Sequence, residues 1–124
     1  MVAQVQLTYM SGPADGSVRQ LALQGSIPEV VFGRESSCSV ALPHDPLVSR
    51  RHARLYWREN SWWLEDFGSS NGTFVGEFSR AVKVSAPVRV CDGQVFQVGR
   101  SRFRFELPDP QSAGMAATGQ AIAQ

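Results

Sequence analysis

Three short clusters carry the residues of this 124-residue chain that are best suited to binding chemistry: Gly33-Arg34, Ser49-Arg50-Arg51-His52 and Gly68-Ser69-Ser70-Asn71-Gly72-Thr73. Between them they supply guanidinium groups, hydroxyls and one carboxamide, and no carboxylate. That inventory suits a doubly charged phosphate. Arginine offers a planar fork for two parallel charge-assisted hydrogen bonds, and serine hydroxyls and backbone N–H groups take the remaining oxygens. Asn71 adds an amide that both donates and accepts, so it can pair with the backbone of an extended peptide.

Each residue also has a structural reading. Arg34 reads equally as a surface arginine at a strand end, and Ser49 and Ser70 as turn residues bonded to their own backbone. Asn71-Gly72 is a strong turn signal whatever the function. The spacing of Ser49 and His52 invites a nucleophile and its base, but that chemistry needs a third group to orient the base and an oxyanion hole. No G-x-S-x-G elbow or suitable acid partner is present, so no catalytic residue is assigned and the chain is not expected to be an enzyme. His52 reads instead as a buried residue whose ring nitrogens pin two loops together. His44 is expected to be exposed with no role, and Asp66 to fix the turn that follows it.

The elements that must position these clusters are strands, because the hydrophobic period is two almost throughout. Val5, Leu7 and Tyr9 alternate with polar neighbours, a turn cluster follows at Ser11 to Gly16, and Val18–Leu23 reads as the return strand. Val30-Val31-Phe32 runs into Gly33-Arg34, and a short strand at Ser39–Leu42 ends at Pro43. Ala53, Leu55 and Trp57 define an apolar face opposite Arg54, Tyr56 and Arg58, which the alternation places on a wet face. Glu59-Asn60-Ser61 turns the chain into Trp62–Asp66, and further strands are expected at Thr73–Val75, Ala81–Val84, Val88–Val90, Gln94–Val98 and Ser101–Leu107. Phe96, Val98, Phe103 and Phe105 are the expected inward side chains of the last two. No helix of ordinary length is expected before residue 107, so the class is an all-β sandwich or barrel. From Pro108 the composition turns to Ala, Gly, Gln, Ser and Pro, which gives two expected units: a folded domain over 1–107 and a disordered or linker-like tail over 108–124.

Composition narrows the function further. A net charge of +1 is too balanced for bulk electrostatic coating of nucleic acid. Arg54 and Arg58 are read as part of a solvated face, and the three tryptophans mainly as core, with Trp63 the most exposed. Cys38 and Cys91 lie far apart, and with only two histidines no structural zinc site, and no cofactor, is expected. A disulfide between them is disfavoured because nothing at the N-terminus resembles a signal peptide. No apolar run approaches the roughly 20 residues needed to span a bilayer, so the expected location is the cytoplasm.

The string Gly33-Arg34, then Ser49-Arg50-Arg51-His52 fifteen residues on, then Gly68-Ser69-Ser70-Asn71-Gly72-Thr73-Phe74-Val75-Gly76, resembles the signature of forkhead-associated (FHA) domains. Asp92 to Gly99 and the closing strand resemble the C-terminal half of that family, so the likeness covers residues 5–107. The resemblance implies an eleven-stranded β-sandwich whose loops at one end recognise phosphothreonine in a partner phosphorylated by a Ser/Thr kinase. By position, Arg34, Ser49 and Ser70 would contact the phosphate, and Arg50 and Asn71 would hold the peptide backbone. Gly33, His52 and Gly72 match positions that shape the loops. Many members carry Thr where this chain has Ser70, which keeps the hydroxyl. Leu47 and the Val75 to Arg80 loop are the nearest candidates for reading residues after the phosphothreonine. The overall look is that of a bacterial, monomeric member. The alternative on the same fold is a phosphate-independent scaffold or self-assembly domain.

Overall fold

The computed structural model describes residues 3–23 and 29–107. The strands follow in the order β1 (Ala3–Tyr9), β2 (Val18–Leu23), β3 (Glu29–Gly33), β4 (Val40–Ala41), β5 (Ala53–Arg58), β6 (Ser61–Asp66), β7 (Thr73–Val75), β8 (Val82–Lys83), β9 (Val88–Val90), β10 (Val95–Val98) and β11 (Ser101–Glu106). Among the described residues the only helical element is one 3-10 turn at Phe78–Arg80. Six strands form one sheet in the order β2-β1-β11-β10-β7-β8, and five form the other in the order β4-β3-β5-β6-β9. This is the all-β class expected from the alternation, and the eleven-stranded sandwich that the family resemblance implies. The expected tail, 108–124, lies outside the described residues.

Alternation dictates the core. Val5 and Leu7 of β1, Phe96 and Val98 of β10, and Phe103 and Phe105 of β11 point inward from the first sheet. Val30 and Phe32 of β3, Ala53 and Leu55 of β5, and Trp62 and Leu64 of β6 meet them from the second. Phe32 is wedged edge-on to Phe96, with ring centroids 5.5 Å apart, and tilted against Phe103 at 5.3 Å. Such aromatic contacts contribute about 0.5–1.5 kcal/mol each beyond their buried area. Trp62 is buried and Trp57 packs partly against the core, whereas Trp63 stands on the outer face and donates its indole N–H to the Arg58 carbonyl at 2.9 Å.

The outer face of the five-stranded sheet is drier than alternation implies. Tyr56 is buried rather than wet, because the Arg54 guanidinium lies 4.1 Å from its ring centroid. Arg54 in turn bridges Glu29 and Glu65 at 2.8 Å each, tying β3, β5 and β6 together. A long side chain can cover an aromatic ring while its charge is answered by neighbours, which alternation alone does not register.

Turn chemistry sets several strand ends. Glu59 and Asn60 both have positive φ (53° and 60°), the backbone of a two-residue type I′ hairpin between β5 and β6. The strand expected to run through Leu107 stops at Glu106, where the Leu107 amide leaves the ladder and donates to the Asp92 carboxylate at 2.8 Å. β4 is shorter than Ser39–Leu42 because it pairs in parallel with β3 over only two residues, and the Ser39 hydroxyl caps it by accepting from the Val31 amide. Cys38 is buried, Cys91 is exposed, and both are free thiols.

Candidate functional site

The antiparallel register brings the C-terminal ends of β3 and β6 and the N-terminal ends of β5 and β7 to one end of the sandwich. All three motif clusters therefore meet there. Past the end of β3 the chain stays bonded to the loop before β5: the Arg34 amide donates to the Ser49 carbonyl at 3.1 Å and the Glu35 amide to the Arg50 carbonyl at 3.4 Å. Gly33 makes this approach possible. A Cβ at that position would collide with the Arg50 carbonyl oxygen and the Cys38 sulfur.

His52 holds the second connection. Its ring is fully buried; Nδ1 accepts from the Ser49 amide at 3.0 Å, and Nε2 lies 2.9 Å from the Gly72 carbonyl oxygen. Its own backbone continues the sheet, donating to Phe32 and accepting from Phe67. Gly72 has φ +87°, which favours glycine, and that backbone turn presents its carbonyl to the imidazole.

Asp66 organises the loop between β6 and β7. Its carboxylate accepts from the Gly68 and Ser69 amides at 2.9 Å and from the Ser69 and Thr73 hydroxyls at 2.7 Å. Ser69 passes the connection on by accepting from the Gly72 amide. Burial pushes the Asp66 carboxyl up, but the hydrogen bonds from Ser69, Thr73 and Gly68 outweigh it and hold its pKa below the ordinary carboxylate value. The loop is thus preshaped, and the role expected for Asp66 as the turn-fixing residue is what the geometry shows.

On this frame Arg34, Arg50, Arg51, Ser70 and Asn71 are exposed and Ser49 is half-buried. Ser49 Oγ accepts a long hydrogen bond from the Ser70 amide at 3.4 Å, which brings the two serines together. Asn71 donates from Nδ2 to the Leu47 carbonyl at 3.0 Å, joining the β6–β7 loop to the β4–β5 loop. Arg34 and Arg50 are exposed, and among the described residues neither forms an ion pair. Ser49, Arg50, Arg51 and Glu35 line an open depression of about 330 Å³. Arg34 does not line it, though its backbone is bonded to Ser49.

Two carboxylates escaped the sequence reading. Glu35 belongs to none of the motif clusters, yet it lines the depression. Asp45 is buried and ties the β4–β5 loop to the β10–β11 turn, accepting from the Leu47 amide at 2.9 Å and from the Arg100 amide and Ser101 hydroxyl at 2.8 Å. Burial pushes the Asp45 carboxyl up, but the bonds from Ser101, Leu47 and Arg100, with His44 nearby, bring its pKa below the ordinary value. No local signal marked Asp45, because two of its three partners lie more than fifty residues away.

Fold and site together define a β-sandwich interaction module with a cationic, hydroxyl-bearing loop end. The FHA domain model matches residues 30–99, and the chain belongs to the FHA domain family. It is 33% identical over 87 residues to the FHA domain-containing protein FhaB of Mycobacterium tuberculosis, a match covering 70% of this chain and 53% of FhaB, so the chain spans about half that relative's length. A solved domain from a structural and functional analysis of phosphothreonine-dependent FHA domain interactions superposes with a TM-score of 0.64 at 28% identity, covering 85% of this chain and 97% of that one. Mycobacterium tuberculosis EmbR, solved with a low-affinity phosphopeptide, superposes with a TM-score of 0.66 at 25% identity, covering 85% of this chain and 24% of EmbR.

Proposed function

We propose that this domain is a phosphothreonine-dependent protein–protein interaction module that does no chemistry of its own. The observation that carries this reading is the pair of exposed arginines, Arg34 and Arg50, without ion pairs among the described residues, whose backbones adjoin Ser49 in a loop frame that Gly33, His52 and Asp66 preshape. Two exposed guanidinium groups that form no ion pair among the described residues are suited to a ligand anion. In this reading Arg34, Ser49 and Ser70 take the phosphate oxygens. Arg50 and Asn71 hold the extended peptide backbone on either side, the Asn71 carboxamide oxygen being the acceptor left when Nδ2 is bonded to Leu47. The partner is a protein phosphorylated on threonine, a Ser/Thr kinase or a kinase substrate. It meets a monomeric domain of residues 1–107 in the cytoplasm, with 108–124 as a flexible tail or linker.

Preference for phosphothreonine over phosphoserine cannot rest on burial of the γ-methyl alone, which is worth about 0.8 kcal/mol. Most of it must come from the restricted χ1 of threonine, which lowers the cost of holding the bound rotamer. The deciding experiment is titration with phosphothreonine, phosphoserine and unphosphorylated peptide libraries. Binding confined to the phosphothreonine library, and lost in Arg34→Ala, supports the module. Equal binding of phosphorylated and unphosphorylated peptides would replace it with the scaffold reading.

A further inference from the structure

Arg51 lines the same depression as Ser49 and Arg50, yet the reading above gives it no task. Its neighbour on β5, Arg54, is fully committed: Glu29 and Glu65 each hold it at 2.8 Å and it covers Tyr56. Arg51 is exposed and forms no ion pair among the described residues. Its guanidinium carbon stands 5.6 Å from the centroid of the Phe67 ring, and that of Arg54 stands 5.9 Å from the same centroid. Phe67 itself is 40% exposed, one of only four large hydrophobic side chains so exposed among the described residues. An aromatic platform of this kind restricts a guanidinium without neutralising it, which lowers the entropy lost when the guanidinium meets an anion.

The charge of the depression points the same way. Glu35 is its single carboxylate and Arg50 and Arg51 are two cations, so one positive charge is left over beyond what the protein itself answers. With Arg50 assigned to the peptide backbone, Arg51 is the guanidinium of the depression left for a further anion. We propose that Arg51 is a specificity-determining residue that pairs with a second anionic group on the bound peptide, a carboxylate or a phosphate close to the phosphothreonine. This inference rests on the phosphothreonine reading above.

The test uses the full 124-residue chain and one phosphothreonine peptide with neutral flanks. Glu, phosphoserine or Lys is then placed at each flanking position in turn. At one position Glu is expected to tighten binding about two- to fivefold, the range of a solvent-exposed ion pair. Phosphoserine should do so more strongly, Lys should weaken binding, and the gain should shrink as salt is raised. Arg51→Ala should erase the gain while leaving affinity for the neutral peptide and the thermal midpoint unchanged, and Arg51→Lys should restore part of it. A gain with both acids identifies a carboxylate-or-phosphate reader, and a gain with phosphoserine alone identifies a phosphate reader. Absence of any acidic gain while the neutral phosphothreonine peptide still binds, or a gain that survives in Arg51→Ala, overturns the role of Arg51 and leaves the phosphothreonine reading standing. Failure of the unaltered chain to bind any phosphothreonine peptide overturns both.

Discussion

The backbone amide of Ser49 donates to Nδ1 of His52 at 3.0 Å, and this one bond settles the protonation state of a buried ring. A backbone N–H can only donate, so Nδ1 is unprotonated and the proton of the neutral imidazole sits on Nε2, from which it is donated to the Gly72 carbonyl at 2.9 Å. The Asp66 carboxylate lies further off, 3.7 Å from Nε2. One side chain thereby fixes the loop that carries Ser49 and Arg50 against the loop that carries Ser70 and Asn71.

Replacing His52 with Ala should leave the half-buried Ser49 amide and the buried Gly72 carbonyl without partners and open a void. Each orphaned group costs about 1–3 kcal/mol, so a loss of about 2–6 kcal/mol is expected in urea unfolding. Phosphopeptide affinity should fall as well, even at temperatures where the variant is folded, because the two loops are no longer held in register. Unchanged stability would show that the imidazole does not carry this connection.

Arg34→Ala should behave in the opposite way. The side chain is exposed and has no ion pair among the described residues, so the unfolding midpoint should hardly move. Loss of a charge-assisted contact worth about 1.5–3 kcal/mol should weaken phosphothreonine peptide binding at least about tenfold. Calorimetric titration of the unaltered domain and the variant checks both halves.

Gly33→Ala tests the close approach of the first loop. The added methyl meets a backbone carbonyl, which cannot swing aside as a flexible side chain would, and the Cys38 sulfur. A destabilisation of about 1–3 kcal/mol is expected, the usual range for overpacking. Weaker phosphopeptide binding should accompany it because Arg50 is displaced. Wild-type stability in this variant would contradict the packing described.

Affinity for phosphothreonine should decline as pH falls from about 7 to 5, since the phosphate has a second pKa near 6 and the dianion is the better acceptor. A flat profile of affinity against pH over that range would count against phosphate as the recognised group.

Fold stability should respond at lower pH through Asp45 and Asp66. Both carboxyls are held below their ordinary value of 3.8 in the folded chain, so the unfolded chain takes up protons first as acid is added. Their contribution is fully present above that value and is lost as pH falls through the lower folded values. Asp66→Asn should be less stable than the parent near neutral pH, because a carboxamide NH₂ faces donors. It should also show a shallower loss of stability in acid, and urea midpoints measured in a pH series reveal whether the slopes differ.

Much of this molecule was legible in the order of its residues, and the legible parts share a cause. Strands β2, β7 and β9 begin and end where alternation and turn residues place them, since side-chain period and turn chemistry depend on near neighbours. The inward set Phe96, Val98, Phe103 and Phe105 follows from the same period. The three motif clusters were visible as a set of guanidinium groups, hydroxyls and a carboxamide from residue type alone, and the strand register brings them to one end of the sandwich. What the linear order left open depends on pairing across long separations: the parallel seam between β3 and β4, the burial of Tyr56 under Arg54, Glu35 within the depression, and Asp45 reaching Arg100 and Ser101. No local pattern encodes which distant backbone groups a buried carboxylate will satisfy. That outcome is decided only when the sheets close and every buried polar group must find a partner.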